Sequence, residues 1–367
     1  MSARTPQDVV PGSLLPGPLD IVGDIHGELE ALHALLRELG YGADGAHSER
    51  RHLVFVGDLC DRGPDSPGVI RHVASLVTSG HAQCILGNHE LNVLRGSPKP
   101  ANGWFFAADH DRERGKFLDC QRASVAERES FPAFFAGLPL ALERADLRVV
   151  HAAWHADSIA VLGRELPGHA VSDVYRQHAE ATERWAETGT VMADLKQEYA
   201  DWGRYLADEE MQVPLLTAIG TMDEHFQMSN PVRVLTSGVE QLASEPFFAS
   251  GKWRMVNRVP WWLDYHDDVP VLFGHYWRWA SPGSAALFSR GERDLFAGVA
   301  PNHWLGPRQN AFCVDFSVGV RYRERALKSR RPFLGRLGAV RWPERELVFD
   351  DGERLPLITH RAGQSSP

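Results

Sequence analysis

Between residues 19 and 90, apolar runs and polar loops alternate in a pattern that predicts strand, loop and helix in succession. Leu19 to Val22 is a short apolar run ending in Gly23-Asp24. Leu29, Leu32, Leu35, Leu36 and Leu39 then recur at helical spacing up to Gly40, a helix stop. Leu53 to Val56 repeats the run before Gly57-Asp58, and Val69, Ile70, Val73, Leu76 and Val77 follow on one helical face. Cys84 to Leu86, before Gly87-Asn88, is a third copy of the run. Strands alternating with amphipathic helices predict an α/β domain with a largely parallel sheet. Loops leaving the carboxyl ends of such strands gather at one edge, where open α/β sheets bind ligands.

Further strand candidates are Leu147 to Val150 before His151, Val271 to Phe273 before Gly274-His275, and Phe312 to Val314 before Asp315. Leu337 to Trp342 and Glu346 to Phe349 flank a short Pro-Glu-Arg turn and predict a closing hairpin. From His155 to about Asn257 the strand pattern gives way to acidic helical stretches such as Asp173 to Glu187 and Met192 to Met211. The expected organisation is an N-terminal extension (1–18), a catalytic domain (19–155 and 258–350) interrupted by a helical insertion or cap (156–257), and a loose tail (351–367).

Composition narrows the function classes. At 367 residues the chain is long enough for one large domain with an insertion, and 43% hydrophobic with 24% charged residues is ordinary for a packed globular protein. A formal net charge of -9 argues against a general binder of nucleic-acid duplexes, which needs a basic surface to displace counterions. Met1 to Pro18 lacks the basic start and apolar stretch of a secretion signal, and no apolar run has the length of a membrane span, so the expectation is a cytoplasmic enzyme without a membrane partner. Cys60, Cys84, Cys120 and Cys313 have no CxxC spacing and read as reduced, structural thiols.

The chemistry sits at the strand ends. Gly23-Asp24-Ile25-His26-Gly27 places a carboxylate and an imidazole in one loop, a donor set suited to manganese, iron or zinc. Gly57-Asp58-Leu59-Cys60-Asp61-Arg62-Gly63 adds two carboxylates and an arginine. Asp58, having two oxygens, could bridge two cations, and Arg62 offers a rigid fork of donors for phosphate oxygens. Gly87-Asn88-His89-Glu90 contributes an amide oxygen and another imidazole, and His151 and His275 each close an apolar run. Any one of these taken alone is explained more readily by a hydrogen-bonded turn or a buried core histidine. Five strand ends each delivering a metal-type ligand to one edge point instead to a shared metal centre.

Asp24-Ile25-His26, the Gly57-Asp58 to Asp61-Arg62-Gly63 block, the Gly87-Asn88-His89-Glu90 block, His151 and Gly274-His275 resemble the calcineurin-like metallophosphoesterases in order and spacing over about residues 19 to 155 and 261 to 349. Gly-Asn-His-Glu with Asp-Arg-Gly is most similar to the PPP branch, which holds serine/threonine phosphoprotein phosphatases and bacterial diadenosine tetraphosphate hydrolases. The resemblance implies a sandwich of two mixed sheets flanked by helices. It implies two divalent ions, manganese first with iron, zinc or cobalt as alternatives, one held by Asp24, His26 and Asp58 and the other by Asp58, Asn88, His151 and His275. It also implies His89 as general acid oriented by Asp61, and Arg62 on the phosphoryl oxygens. Ala152-Ala153 stands where many relatives have two glycines. Trp277 stands where the phosphodiesterase branch has a further histidine, which favours the PPP branch. For a second phosphate-binding arginine Arg254 is the candidate and Arg258 the competitor.

The expected reaction is direct attack on phosphorus by a hydroxide bridging both metals. Phosphoric monoesters on a small molecule or a phosphoprotein, phosphoserine and phosphothreonine included, come first as substrates, with a symmetrical bis(5'-nucleosyl)-tetraphosphatase as the alternative. A non-catalytic metal-stabilised binding module is the third reading, disfavoured because no structural metal needs His89, Asp61 and Arg62. Trp253, Trp261, Trp262, Trp277 and Trp279 crowd the region around His275, where they either stack a nucleobase or belong to the core.

Overall fold

A computed structural model describes residues 10–106, 116–117, 120–249, 251–281, 284, 293–327 and 332–359. The three predicted strand units lie side by side: β2 (Leu19–Val22), β3 (His52–Phe55) and β4 (Ala82–Cys84) pair in parallel, with Val22 opposite Phe55 and Phe55 opposite Cys84. The closing hairpin of β11 (Gly338–Trp342) and β12 (Glu346–Phe349) is antiparallel, and β11 pairs antiparallel with β2. With β13 (Arg354–Pro356) this makes a six-stranded mixed sheet in the order β13-β12-β11-β2-β3-β4.

A second sheet of five strands runs β1 (Gly12–Ser13), β5 (Ala141–Arg144), β6 (Leu147–Val150), β9 (Val271–Phe273) and β10 (Ala311–Cys313). Its strands β6, β9 and β10 are parallel, so the chain leaves all three at the same end. The two sheets bury facing side chains against each other, Ile21, Val54, Val56 and Ile85 from one and Leu142, Val149, Leu272 and Phe312 from the other. On the outer face of the six-stranded sheet, Leu32 and Leu35 of α1 (Leu29–Leu39) and Val69 and Val73 of α2 (Ser66–Thr78) join Val22, Leu53 and Phe55 in one buried cluster. Gly40 ends α1 in the left-handed conformation at φ 92°, which glycine adopts without a Cβ clash. The fold is therefore the expected α/β sandwich of two mixed sheets flanked by helices.

The region expected to be helical from 156 to 257 is helical only as far as Ser237. Helices span Ala156–Glu165, Val171–Thr188, Val191–Trp202, Thr217–Met228 and Pro231–Ser237. An antiparallel hairpin of β7 (Glu240–Ala249) and β8 (Lys252–Arg258) follows. A register shift between Leu242 and Phe247 breaks its alternation in the sequence. The hairpin is held by helix Thr217–Met228, whose Gly220 leaves room for Leu242 and Met255, each within 3.1 Å of where a Cβ would stand. Among the described residues no helix is long and apolar enough to cross a membrane.

Candidate metal centre and active site

The parallel strands bring six chain segments to one edge. Asp24 follows β2, Asp58 follows β3, Asn88 follows β4, His151 follows β6, His275 follows β9 and Asp315 follows β10. Tight turns do this at a local cost, because His26, Asp58, Asp61, Arg62, His275 and Trp277 all have φ between 48° and 73°, a region non-glycine residues seldom occupy. Two glycines make the close approach possible. A Cβ on Gly87 would lie 2.4 Å from Asp58 Oδ1, and one on Gly274 would lie 2.1 Å from Asp24 Oδ1. Gly274→Ala is expected to displace Asp24 and lower bound manganese by roughly tenfold in affinity, comparable to the loss on removing a supporting partner of a metal ligand. Equilibrium dialysis at unchanged far-UV circular dichroism checks it.

Asp58 is the shared element. Its Oδ2 lies 3.7 Å from His26 Nε2 and 3.7 Å from His89 Nε2, while its Oδ1 lies 3.3 Å from His151 Nε2. Ligand atoms of His26, Asp58 and His89 form one group within 4.8 Å of one another, and those of Asp58, His151 and His275 form a second. Asp24 Oδ2 lies 3.9 Å from His26 Nε2, and the Asp24 carboxylate accepts the His275 backbone N–H at 3.1 Å. Asn88 Oδ1 lies 3.2 Å from His151 Nε2 and 2.9 Å from His275 Nδ1.

Hydrogen bonds to backbone fix which imidazole nitrogens carry lone pairs. His151 Nδ1 faces the Val56 carbonyl at 2.7 Å and His26 Nδ1 faces the Cys60 carbonyl at 3.1 Å. A carbonyl only accepts, so both Nδ1 atoms donate, and in the neutral rings both Nε2 lone pairs point into the cluster. His151 Nε2 therefore meets two further acceptors, Asp58 Oδ1 and Asn88 Oδ1. His275 Nε2 is buried with no hydrogen-bond partner among the described residues. Acceptors facing acceptors in a buried pocket fit a cation as their common partner.

The electrostatics agree. Burial, then Asp315 and Asp58, hold the Asp24 carboxyl well above its usual range. Burial would raise Asp58 as well, but His89, His151 and Arg62 outweigh it and keep its carboxyl low. Burial, followed by the charges of Arg62 and His89, pushes His26 well down, and burial followed by Arg258 and His151 does the same to His275. Both rings are thus neutral, the form that ligates metals. Asp24, Asp58 and Asp315 share this buried space with Arg62, an excess of negative charge that divalent cations would offset.

His89 Nδ1 bonds the Asp61 carboxylate, and its Nε2 lies 3.1 Å from Arg62 Nη2. Burial alone would lower His89, but the Asp58 and Asp61 carboxylates outweigh burial and the Arg62 charge and raise its pKa. Asp61 is itself fixed by side-chain donors from Asn102 and Trp104. Arg62 contacts His26 Nε2, and its guanidinium stacks 4.6 Å from the Trp277 ring centroid.

Asp24, His26, Asp58, Asn88, His151, His275, His89, Asp61 and Arg62 are thus brought together. Arg254 is not with them. It stands opposite Phe247 on β8 with its Nε 3.4 Å from the Ala249 carbonyl, and its charge falls on Asp223, Glu240 and Lys252. Arg258, four residues on at the other end of the strand, is the arginine whose charge reaches His275. Trp261 and Trp262 are buried against Phe273 as core, whereas Trp277 sits 6.4 Å from the His26 ring.

Four supporting residues were not singled out from the sequence. Glu90 accepts the backbone N–H groups of Asp58 at 2.9 Å, Leu59 at 2.8 Å and Gly87 at 3.1 Å, and burial and Asp58 push its carboxyl up to about 7. Its position in the Gly87-Asn88-His89-Glu90 block was the available signal. Asp315 accepts from the backbone of Trp277 and Ser317, each at 2.8 Å, and so holds the loop after His275. Its signal was the apolar run before it. Asn102 and Trp104 lie in a segment with no periodic pattern. Cys60 is a buried thiol that donates to Glu90, a structural role.

A family model described as Calcineurin-like phosphoesterase matches residues 17–217. The chain is 37% identical over 156 residues to the asymmetrical bis(5'-nucleosyl)-tetraphosphatase PrpE of Bacillus velezensis, covering 40% of this chain and 61% of that protein. It is 34% identical over 181 residues to the PrpE of Bacillus subtilis, covering 46% of this chain and 72% of that protein. Among solved structures, a cold-active protein-tyrosine phosphatase of a psychrophilic Shewanella species aligns at 15% identity and a TM-score of 0.46, over 94% of this chain and 83% of that one.

Proposed function

The chain belongs to the calcineurin-like phosphoesterase family, and from that premise we propose that it is a metal-dependent hydrolase of phosphoester and phosphoanhydride bonds. One observation carries the reading: Asp58 directs one oxygen into each of two ligand groups, with the His89–Asp61 pair and Arg62 on the same rim. Asp24, His26 and Asp58 would hold one divalent ion and Asp58, Asn88, His151 and His275 the other. Such a pair would supply Lewis acidity and a hydroxide nucleophile at neutral pH.

The chain's own residues do the rest. Arg62 binds the equatorial phosphoryl oxygens through its fork of donors, stacked in place on Trp277. Once Arg62 turns from His89 Nε2 to the phosphoryl oxygens, that nitrogen holds a proton and delivers it to the leaving oxygen, while Asp61 supports the imidazolium through Nδ1. Asn102 and Trp104 keep the Asp61 carboxylate aligned, and Glu90 ties the Asp58 loop to the start of α3 (Asn88–Leu94).

For substrate, the reading favoured here is a dinucleoside polyphosphate. Trp277 offers an aromatic face beside Arg62, and the relatives described above carry tetraphosphatase names. Phosphomonoesters, placed first from the sequence, are the second reading, because His89 and Arg62 engage only a phosphoryl group and its leaving oxygen. Turnover of diadenosine tetraphosphate, a phosphopeptide and p-nitrophenyl phosphate with added manganese tests both. The expected kcat/KM is at least about tenfold higher for the dinucleotide, and its product nucleotides distinguish symmetrical from asymmetrical cleavage. A preference for the phosphopeptide would overturn the substrate reading, and absence of turnover on all three would overturn the enzymatic one.

A further inference from the structure

Where α3 ends, cations gather that outnumber the acids within their reach. Arg95, the C-terminal cap of α3, lays its guanidinium 3.7 Å from the centroid of the Tyr175 ring. Arg233, from helix Pro231–Ser237, donates to the hydroxyl of the same tyrosine at 3.2 Å and to the Gln227 amide oxygen at 2.9 Å. Lys99 and Lys252 reach the surface with partly buried ammonium groups whose charges act on each other. Among the described residues none of the four has a carboxylate within ion-pair distance. Burial, followed by Arg95, Arg233 and Lys252, pushes the Lys99 ammonium down. Two acids lie within their reach: burial raises Asp223 against the charges of Lys252, Arg254 and Arg233, and raises Glu240 against those of Arg258 and Arg233, which leaves the cations in excess. In a chain of net charge -9 such a cluster is costly to keep unless an anion completes it.

The cluster is wired to the catalytic pair. The Lys99 backbone N–H donates to Asn102 Oδ1 at 2.8 Å, and Asn102 Nδ2 donates to Asp61, the partner of His89. Helix rise carries Arg95 about 10 Å along α3 from Asn88, so an anion that engages both ends of the helix is an extended one. A chain of linked phosphates spans that gap and carries charge at both ends.

We propose that Arg95, Lys99, Arg233 and Lys252 form an anion site that holds the distal phosphates of an oligophosphate whose first phosphoryl group lies at Arg62 and the metal centre. This rests on the phosphoryl-binding reading above only for where the first phosphate sits. Calorimetric binding of inorganic tripolyphosphate and of orthophosphate to the full chain, at constant free manganese, tests it without requiring turnover. The exposed pair Lys99→Gln and Lys252→Gln is expected to weaken tripolyphosphate roughly tenfold while orthophosphate changes less than about twofold. Lys99→Arg with Lys252→Arg should keep wild-type affinity, and added salt should narrow the gap between the two anions. Equal weakening of both anions, or no loss of tripolyphosphate, would overturn the proposal. Intact tripolyphosphate discrimination with no hydrolysis of any nucleotide would instead leave the site standing and remove the proposed activity.

Discussion

Replacing Asp58 with asparagine is expected to lower kcat by roughly a thousandfold, about 4 kcal/mol in the barrier, and to reduce bound manganese at both positions together. The reason is geometric. Asp58 Oδ2 serves the His26 side and Oδ1 the His151 side, so one substitution removes a charged oxygen from each group. An asparagine keeps the shape but turns one oxygen into an N–H donor, which faces lone pairs already directed inward by His26 and His151. The Glu90 hydrogen bonds to the Asp58 and Leu59 backbones are untouched, so the loop should keep its path. Metal content by atomic emission, read beside kcat, checks the pairing of effects. Loss of one ion with full retention of the other would show that Asp58 is not shared.

Much of this centre was legible because ligands and strands share a local signature. An apolar run followed by Asp, Asn or His needs no tertiary knowledge, and Leu19–Val22 before Asp24 or Leu147–Val150 before His151 stand out on that basis alone. What escaped was decided across the chain. Nothing near Glu240 states that it begins a hairpin, since Leu242 and Met255 become core only when helix Thr217–Met228 packs on them. That the charge of Arg258 reaches His275 follows from the placement of β8 and not from residue type. Asn102 and Trp104 act through Asp61, distant in sequence by 41 and 43 residues, and no spacing rule links a loop amide or an indole to a carboxylate that far away. Ligands can be read from pattern, whereas the groups that aim them follow from packing.

His89→Asn separates proton delivery from metal binding. It is expected to lower kcat by on the order of 10²- to 10⁴-fold, the range for loss of a positioned general acid. The loss should be largest for substrates with poor leaving groups, because only their departing oxygen needs the proton in the transition state. Bound manganese should change little, since Asp24, His26, Asn88, His151 and His275 remain. The pH profile gives an independent sign. His89 is raised by Asp58 and Asp61 against burial and Arg62, so the protonated donor persists to higher pH than in a free imidazole and activity is lost as pH rises through that raised pKa. The alkaline limb of kcat should therefore belong to His89 and vanish in His89→Asn. In Asp61→Asn it should move to lower pH, because the neutral amide no longer supports the imidazolium at Nδ1. A limb unchanged in both variants, or a His89→Asn protein emptied of metal, would assign His89 to the cation instead of the leaving group. The 3.7 Å approach of its Nε2 to Asp58 Oδ2 is what makes that alternative worth measuring.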